Sequence, residues 1–318
     1  MNTSPVKIGA LLWANRTDWT GLRAAAVAAE QSGFDSLWVS DHLLSSIGRP
    51  SDPVFEAWTA ISALGALTER ATVGLLVGSN TFRNPGLVAK MAVTLDHITG
   101  GRAVLGLGAG WLEAEHRMHG LEFEATPGVR IDRLAAAVSI VRRLIDGEVV
   151  DHDSQWYSMI GARHVPQPIQ RHLPILIGGE GRTKTLRVVA EQADMWNARG
   201  SRDSLAAVDA ALATHCAAVG RDPTTIERLT NRWIVIRDYP ASAQRVLEAT
   251  NRYQHVTEFD PGIVVTGPPE AVAAALRPVV DLGFRHIVVS LRAPWDHETI
   301  SRLPAVRDLL QDAVAVGR

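Results

Sequence analysis

An aspartate next to a histidine, Asp41-His42, closes the apolar run Leu37-Trp38-Val39-Ser40. A carboxylate beside an imidazole at the end of a buried strand can orient a ring system, pass a proton or bind a metal; it can equally cap a helix. A second cluster is glycine-dense: Gly106-Leu107-Gly108-Ala109-Gly110-Trp111 lets bare backbone approach a flat or phosphorylated ligand. It is no dinucleotide fingerprint, because GxGxxG needs glycine where Trp111 stands. In a third, Gly178-Gly179-Glu180-Gly181-Arg182 follows the apolar Ile175-Leu176-Ile177 and enters a helical pattern. Free amides, glycine and Arg182 can hold a phosphate there, or the segment is a plain strand-to-helix turn. A Walker A loop is excluded, since Lys184-Thr185 follows Thr183 and not glycine.

Leu75-Leu76-Val77 gives way abruptly to Gly78-Ser79-Asn80-Thr81, which suits a strand bulge facing a ligand. Trp196-Asn197 offers a ring wall and an amide, although core packing is the plainer role for Trp196. Trp13, Trp58, Trp111 and Trp196 together point to an aromatic-walled substrate pocket, with Asn197 as its polar group. Glu113, Glu115, His116 and His119 bring His116 and His119 onto one helical face, but solvated side chains explain them as well and no metal site is expected.

Eight apolar runs must position these groups: Val6 to Trp13, Ser36 to Ser40, Thr72 to Val77, Ala103 to Gly108, Ile175 to Gly178, Met195 to Ala198, Trp233 to Arg237 and His286 to Leu291. Several are nearly continuous in apolar character, as strands covered on both faces should be. Helical periodicity separates them at Thr20 to Ser32, Phe55 to Leu67, Leu87 to Ile98, Val129 to Ile145, Thr183 to Gln192, Ser204 to Ala218, Ala271 to Leu282 and Ala305 to Val316. In the fourth, Ile131, Leu134, Val138, Val141 and Ile145 form a stripe opposite Arg130, Asp132, Arg133 and Arg142. The alternation predicts an α/β fold, a (β/α)8 TIM barrel with insertions in its loops, as one domain over residues 1–318, with a doubly wound sheet as the alternative. Leu43 to Pro53 and Trp111 to Thr126 read as walls or lids of the rim. Gly147 to Pro174 reads as a hairpin turning at Asp151 to Gln155, and Ser242 to Thr266 as a further excursion.

The 318 residues are 46% hydrophobic, with 32 basic against 34 acidic side chains. A balanced chain of this kind carries no electrostatic footprint for nucleic acid. The single cysteine, Cys216, forms no intramolecular disulfide, and no run approaches the length that spans a bilayer. The polar N-terminus lacks signal-peptide features, so the expectation is a soluble cytoplasmic protein with a small-molecule substrate.

In order along the chain, Gly33-Phe34-Asp35-Ser36-Leu37-Trp38-Val39-Ser40-Asp41-His42, Asn80-Thr81-Phe82-Arg83-Asn84-Pro85 with Lys90-Met91 and Asp96, Gly100-Gly101-Arg102 with the Gly106 to Trp111 exit, and Pro174 to Gly179 resemble the bacterial luciferase-like superfamily. The pattern is closest to its deazaflavin (coenzyme F420)-dependent oxidoreductases. The resemblance implies that Asp41 and His42 sit at the ring edge as catalytic residues, with His42 handling a proton or orienting the ring. It implies a bulge in the third strand with a non-proline cis peptide at Leu76-Val77 backing the ring, flanked by Ser79 and Asn80. It also implies that Gly108, Ala109, Gly110 and Trp111 line the pocket and that Gly178, Gly179, Glu180, Gly181 and Arg182 hold the cofactor phosphate.

With F420 the reaction would be hydride transfer. With reduced flavin mononucleotide (FMN) it would be monooxygenation in a two-component system, and a non-catalytic flavin-binding protein is the third alternative. The resemblance further implies a homodimer and a flavin or F420 reductase supplying reduced cofactor. Some deazaflavin-dependent sugar-phosphate dehydrogenases of this kind carry a catalytic glutamate directly after the glycine exit, where this chain has Trp111, so sugar-phosphate oxidation is not expected.

Overall fold

The apolar runs lie side by side as parallel strands with helices returning outside them. In this computed structural model, which describes residues 4–124, 126–257 and 260–316, the order is β1 (Lys7–Leu12), α1 (Trp19–Gln31), β2 (Ser36–Val39), α2 (Ala57–Ala66), β3 (Thr72–Leu75), β4 (Gly78–Ser79), α3 (Pro85–Ile98), β5 (Ala103–Gly108), α4 (Glu113–His119) and α5 (Pro127–Ile145). The second half continues with β6 (Val150–Asp153), β7 (Ser158–Ala162), β8 (Ile175–Gly178), α6 (Thr185–Gln192), β9 (Met195–Ala198), α7 (Arg202–Ala218), β10 (Glu227–Ile236), α8 (Pro240–Tyr253), β11 (Val264–Gly267), α9 (Pro269–Asp281), β12 (His286–Leu291) and α10 (His297–Val316).

Parallel pairing runs β10-β12-β1-β2-β3-β5-β8-β9 and closes from β9 back to β10, where Leu229 meets Asn197. β3 and β4 share one stave, interrupted at Leu76-Val77, whose peptide bond is cis. The ring is the TIM barrel that the alternation predicts. Side chains alternate between two cores. Leu11, Trp38, Val104, Leu176, Leu229 and Val288 fill the inside, while Ile8, Leu12, Leu37, Ile177 and Ile287 meet the helices outside.

Local chemistry sets the helix ends. Thr126 accepts from the Val129 amide and Pro127 opens α5, whose stripe from Leu134 to Ile145 is buried. Arg130 departs from that pattern. Placed with the solvent face by periodicity, it is buried over the Phe123 ring and donates to the Gly110 carbonyl. The motif residues Asp96 and Arg102 are likewise structural. Asp96 accepts from the amides of Ile169 and Gln170 before β8, and Arg102 caps the carbonyls of Gly65, Thr68 and Ala71.

Two sequence expectations are corrected. The seventh barrel stave is Glu227 to Arg232, not Trp233 to Arg237. The latter extends past the ring to pair with β11. Its polar sequence hid it, because Arg228 and Thr230 face outward yet are buried, Arg228 on Asp209 and on backbone carbonyls. Ser242 to Thr266 is an excursion outside the eight staves, as expected, and it contains most of α8 and the start of β11. The hairpin is present, but it turns at residues 154–157, with Val150 opposite Ala162 and Asp153 opposite Ser158, so Trp156 and Tyr157 lie in the turn.

Candidate functional site

The exit of β2 is tied to the β3–β4 stave by charge. Asp41 accepts from the Ser79 amide at 2.9 Å and from Arg83 through both oxygens, at 2.6 and 3.2 Å. Arg83 also reaches Glu56 at 2.7 Å, and Glu56 in turn caps α2 by accepting from Trp58 and Thr59. Burial pushes the Asp41 carboxyl above its usual range against the pull of Arg83. Arg83, which burial alone would acidify, is held up by Asp41 and Glu56. Both Asp41 oxygens are therefore occupied, and the side chain is buried.

His42 is held from a different direction. Its Nδ1 lies 3.2 Å from each carboxylate oxygen of Glu115 on α4, and the same carboxylate accepts from the Leu43 amide at 2.9 Å. Facing acceptors, Nδ1 carries the hydrogen, and Nε2 is left as the acceptor with no hydrogen bond among the described residues. The Trp111 indole meets the His42 ring edge-on at 5.7 Å and is largely exposed.

One residue along, His116 is fully buried. Its Nδ1 donates to the Leu112 carbonyl, and Thr81 donates to Nε2 at 2.6 Å after accepting from the Ser79 hydroxyl. His119 Nδ1 returns to the Glu115 carbonyl. The helix that spacing alone would leave solvated, α4, thus latches the exit of β2 to the broken stave, through Glu115 on His42 and Leu43 and through His116 on Thr81. Sequence reasoning missed the part Glu115 plays in it. No sequence signal gave it: Glu115 and His116 are the buried residues of α4, and helical spacing alone does not reveal that.

Bare backbone surrounds Val77. A Cβ on Gly108 would stand 2.7 Å from a Val77 methyl, one on Gly178 would stand 3.0 Å from both methyls, and one on Gly106 would collide with the Leu75 carbonyl at 1.9 Å. Gly110, at φ +76, passes under Ser79 and Thr81, where a Cβ would lie 2.9 and 2.6 Å from their hydroxyls. Asp41, His42, Val77, Ser79 and the Gly108 to Trp111 exit thus converge at the C-terminal ends of the staves, beside Gly178. Leu76 points into the barrel interior. Asn80 is buried and turned outward, donating to the Tyr157 hydroxyl at 3.2 Å.

Gly179 donates to the Asn197 carbonyl, and the amides of Gly181, Arg182 and Thr183 make no hydrogen bond among the described residues. Glu180 accepts from the Arg199 amide and so turns from those amides.

Trp13 and Asn197 reach the barrel interior from β1 and β9, Asn197 donating to Asn231 at 2.7 Å. Trp196 does not join them. It is wholly buried on the outer face of β9, 5.5 Å from Phe284, with its indole N–H on the Gly179 carbonyl. Strand alternation forces this, because its neighbour Asn197 points in.

Residues 3–286 match the family model for the luciferase-like monooxygenase domain. An F420-dependent glucose-6-phosphate dehydrogenase of Microbacterium testaceum is 31% identical over 297 residues, covering 82% of this chain and 84% of the relative. Among solved structures, an F420-dependent secondary alcohol dehydrogenase bound to an F420-acetone adduct has a TM-score of 0.81 at 20% identity, covering 96% of this chain and 100% of the other. The coenzyme F420-dependent tetrahydromethanopterin reductase from Methanopyrus kandleri has a TM-score of 0.78 at 17% identity, covering 98% and 100%. At these identities the structural likeness establishes the fold.

Proposed function

The chain belongs to the luciferase-like monooxygenase family, and on that premise we propose that it is an F420-dependent oxidoreductase moving a hydride between the deazaflavin and a small organic substrate. When bound, the coenzyme supplies a ring carbon that gives or takes the hydride. The chain's own residues bind, orient, exclude water and manage the proton.

The observation that carries this reading is the bared backbone of Gly108 and Gly178 around Val77, set beside a histidine with one ring nitrogen held and one free. A flat tricycle needs Val77 seated low against bare backbone, and a Cβ on either glycine would push it out of that seat. The chain's residues therefore fit the coenzyme. Val77 backs the ring, and Gly108, Ala109, Gly110 and Trp111 line its edge. The amides of Gly181, Arg182 and Thr183, with the Arg182 side chain, hold the phosphate.

His42 Nε2 accepts or delivers the proton that accompanies the hydride on the substrate, and Glu115 fixes the tautomer. Asp41 positions, with Arg83, the exit of β2 against Ser79, and does not react, because both its oxygens are engaged. Substrate enters over the half of the mouth where Trp13 stands, with Asn197, the strand partner of Gly178, at its margin. Sugar phosphates are not the proposed substrate, since Trp111 occupies the place of the glutamate on which such chemistry would rest. The reading extends to a cytoplasmic homodimer re-reduced by a separate F420 or flavin reductase, for which light scattering of the purified chain gives the first test.

Isothermal titration of the purified chain with F420 and with FMN, each oxidised and reduced, tests the assignment. Micromolar or tighter binding of F420 with none for FMN is expected. Preference for reduced FMN would make the chain a two-component monooxygenase, and binding of neither would remove the coenzyme shelf.

A further inference from the structure

The half of the barrel mouth facing away from the glycine shelf carries an unsatisfied cation. Arg292 directly follows β12, and β12 pairs with β1 on one side and β10 on the other, across the ring from β5. Its guanidinium lies over two indoles, 5.2 Å from the centre of the Trp13 ring and 4.4 Å from that of Trp233. Rings stacked on a guanidinium face offer no acceptor to its in-plane N–H groups. Arg292 Nε and Nη1 are buried with no hydrogen-bond partner, and the indole Nε1 of Trp13, on a ring that Arg292 covers, is in the same state. No ion pair involves Arg292 among the described residues.

Burial pulls the guanidinium down to about 10, which still leaves it charged at neutral pH. Two sealed, unpaired N–H groups on a cation are costly, and a partner bound in the working state accounts for them.

The chemistry of the missing partner follows from the donors. All three unpaired atoms donate, so the partner accepts and carries negative charge. The other arginines leaving these staves are committed: Arg16 to Asp52 at the β1 exit, and Arg237 to Asp296 at the β10 exit. One cation balances one charge, and a planar fork matches a planar anion. We propose that Arg292, assisted by the Trp13 indole N–H, is the subsite for a carboxylate on the substrate, so that the substrate class is an organic monocarboxylate.

The inference rests on the oxidoreductase reading only in taking the molecule opposite the coenzyme shelf as substrate. The subsite itself is defined by the three donors.

The test uses the full chain and isothermal titration with phenylacetate, cyclohexanecarboxylate and 3-phenylpropionate, each beside its neutral primary amide, and with inorganic phosphate. At least one acid should bind about tenfold or more tightly than its amide, and all phosphate binding should be weaker. Arg292→Gln should erase the acid-over-amide preference, and Arg292→Lys, which keeps the charge but not the fork, should restore part of it. Thermal melting checks that both variants fold, and if Arg292→Gln does not fold, Arg292→Lys together with the wild-type acid and amide pairs decides. Both variants should bind F420 within about threefold of the parent, as expected for a residue across the ring from the shelf.

Equal binding of acid and amide by the wild-type chain overturns the proposal, as does binding of no acid in the panel. Preference for phosphate, or a preference that survives in Arg292→Gln, overturns it too. Loss of F420 binding in the variants would assign Arg292 to the coenzyme instead. Failure of F420 to bind the wild-type chain removes the oxidoreductase reading and leaves an acid-over-amide preference, and with it the carboxylate subsite, standing.

Discussion

His42 Nδ1 and the Glu115 carboxylate meet at 3.2 Å although 73 residues separate them, and Glu115 is all but excluded from solvent. The contact joins the exit of β2 to α4, so the orientation of the imidazole is a property of tertiary structure and not of the Asp41-His42 dipeptide.

Glu115→Gln keeps an acceptor for the Leu43 amide but no longer fixes which nitrogen of His42 is protonated. Turnover with any accepted substrate should fall by on the order of 10²-fold, while the dissociation constant for coenzyme changes by less than about threefold. The pH profile of kcat should shift with it. A variant that loses stability but keeps the parent's pH profile would reduce Glu115 to a structural anchor.

Two neighbouring glycines make opposite demands. A Cβ on Gly106 meets the backbone carbonyl of Leu75 at 1.9 Å, whereas one on Gly108 meets only the Val77 side chain at 2.7 Å. Backbone in a barrel stave cannot give way, so Gly106→Ala should lose about 3 kcal/mol or more, or fail to fold. A valine methyl can rotate. Gly108→Ala should therefore cost about 1 kcal/mol in chemical denaturation and yet weaken coenzyme binding by about tenfold or more, because Val77 is displaced from the proposed shelf. Equal stability losses in the two variants would contradict this division.

The ring of staves was legible because strands buried on both faces read as apolar runs, and the order of strand exits placed Asp41, His42, Val77, Gly108 and Gly178 together. What escaped reading is polar and buried. The stave from Glu227 to Arg232 looked like a surface segment because Arg228 and Thr230 find partners only after folding. Trp196 was assigned to the pocket although period-2 alternation sends it outward once Asn197 is inward. Glu115 and Arg292 are invisible as functional residues for the same reason: their meaning lies in what faces them, a histidine in one case and two indoles that leave Nε and Nη1 without a partner in the other.

At the opposite end of the barrel, Glu227 accepts from Lys7 at 2.9 Å and meets His286 Nδ1 at 2.8 Å, and His286 passes the chain on to Ser36 and the Trp38 indole. Burial works to raise the Glu227 carboxyl, but His286 and Lys7 outweigh it and bring it from 4.5 to about 2. A carboxyl depressed on folding contributes stability that is fully present above its unfolded value and is lost as pH falls through its folded one. The stability gap between the parent and Glu227→Gln, measured by urea unfolding, should be widest above pH 4.5 and close steadily toward pH 2. A gap independent of pH over that window would show that the carboxylate's charge contributes nothing there.

Arg83 and Asp41 form the buried charge pair on which the site's geometry turns, with Glu56 as the outer partner. Removing one member strands the other. Arg83→Met leaves Asp41 sealed from water with only the Ser79 amide to stabilise it, at a cost of about 3–5 kcal/mol in chemical denaturation. Asp41→Asn in the Arg83→Met background removes the uncompensated charge while its side-chain oxygen still accepts from Ser79. The double variant should therefore be more stable than Arg83→Met alone, recovering about half the loss or more. Coenzyme binding should not recover in parallel, because the link from Arg83 through Glu56 to α2 is gone and the β2 exit carrying His42 is no longer fixed against the broken stave. If the two single losses simply add in the double variant, Asp41 and Arg83 are not coupled and the stave is held by the Ser79–Asp41 hydrogen bond alone.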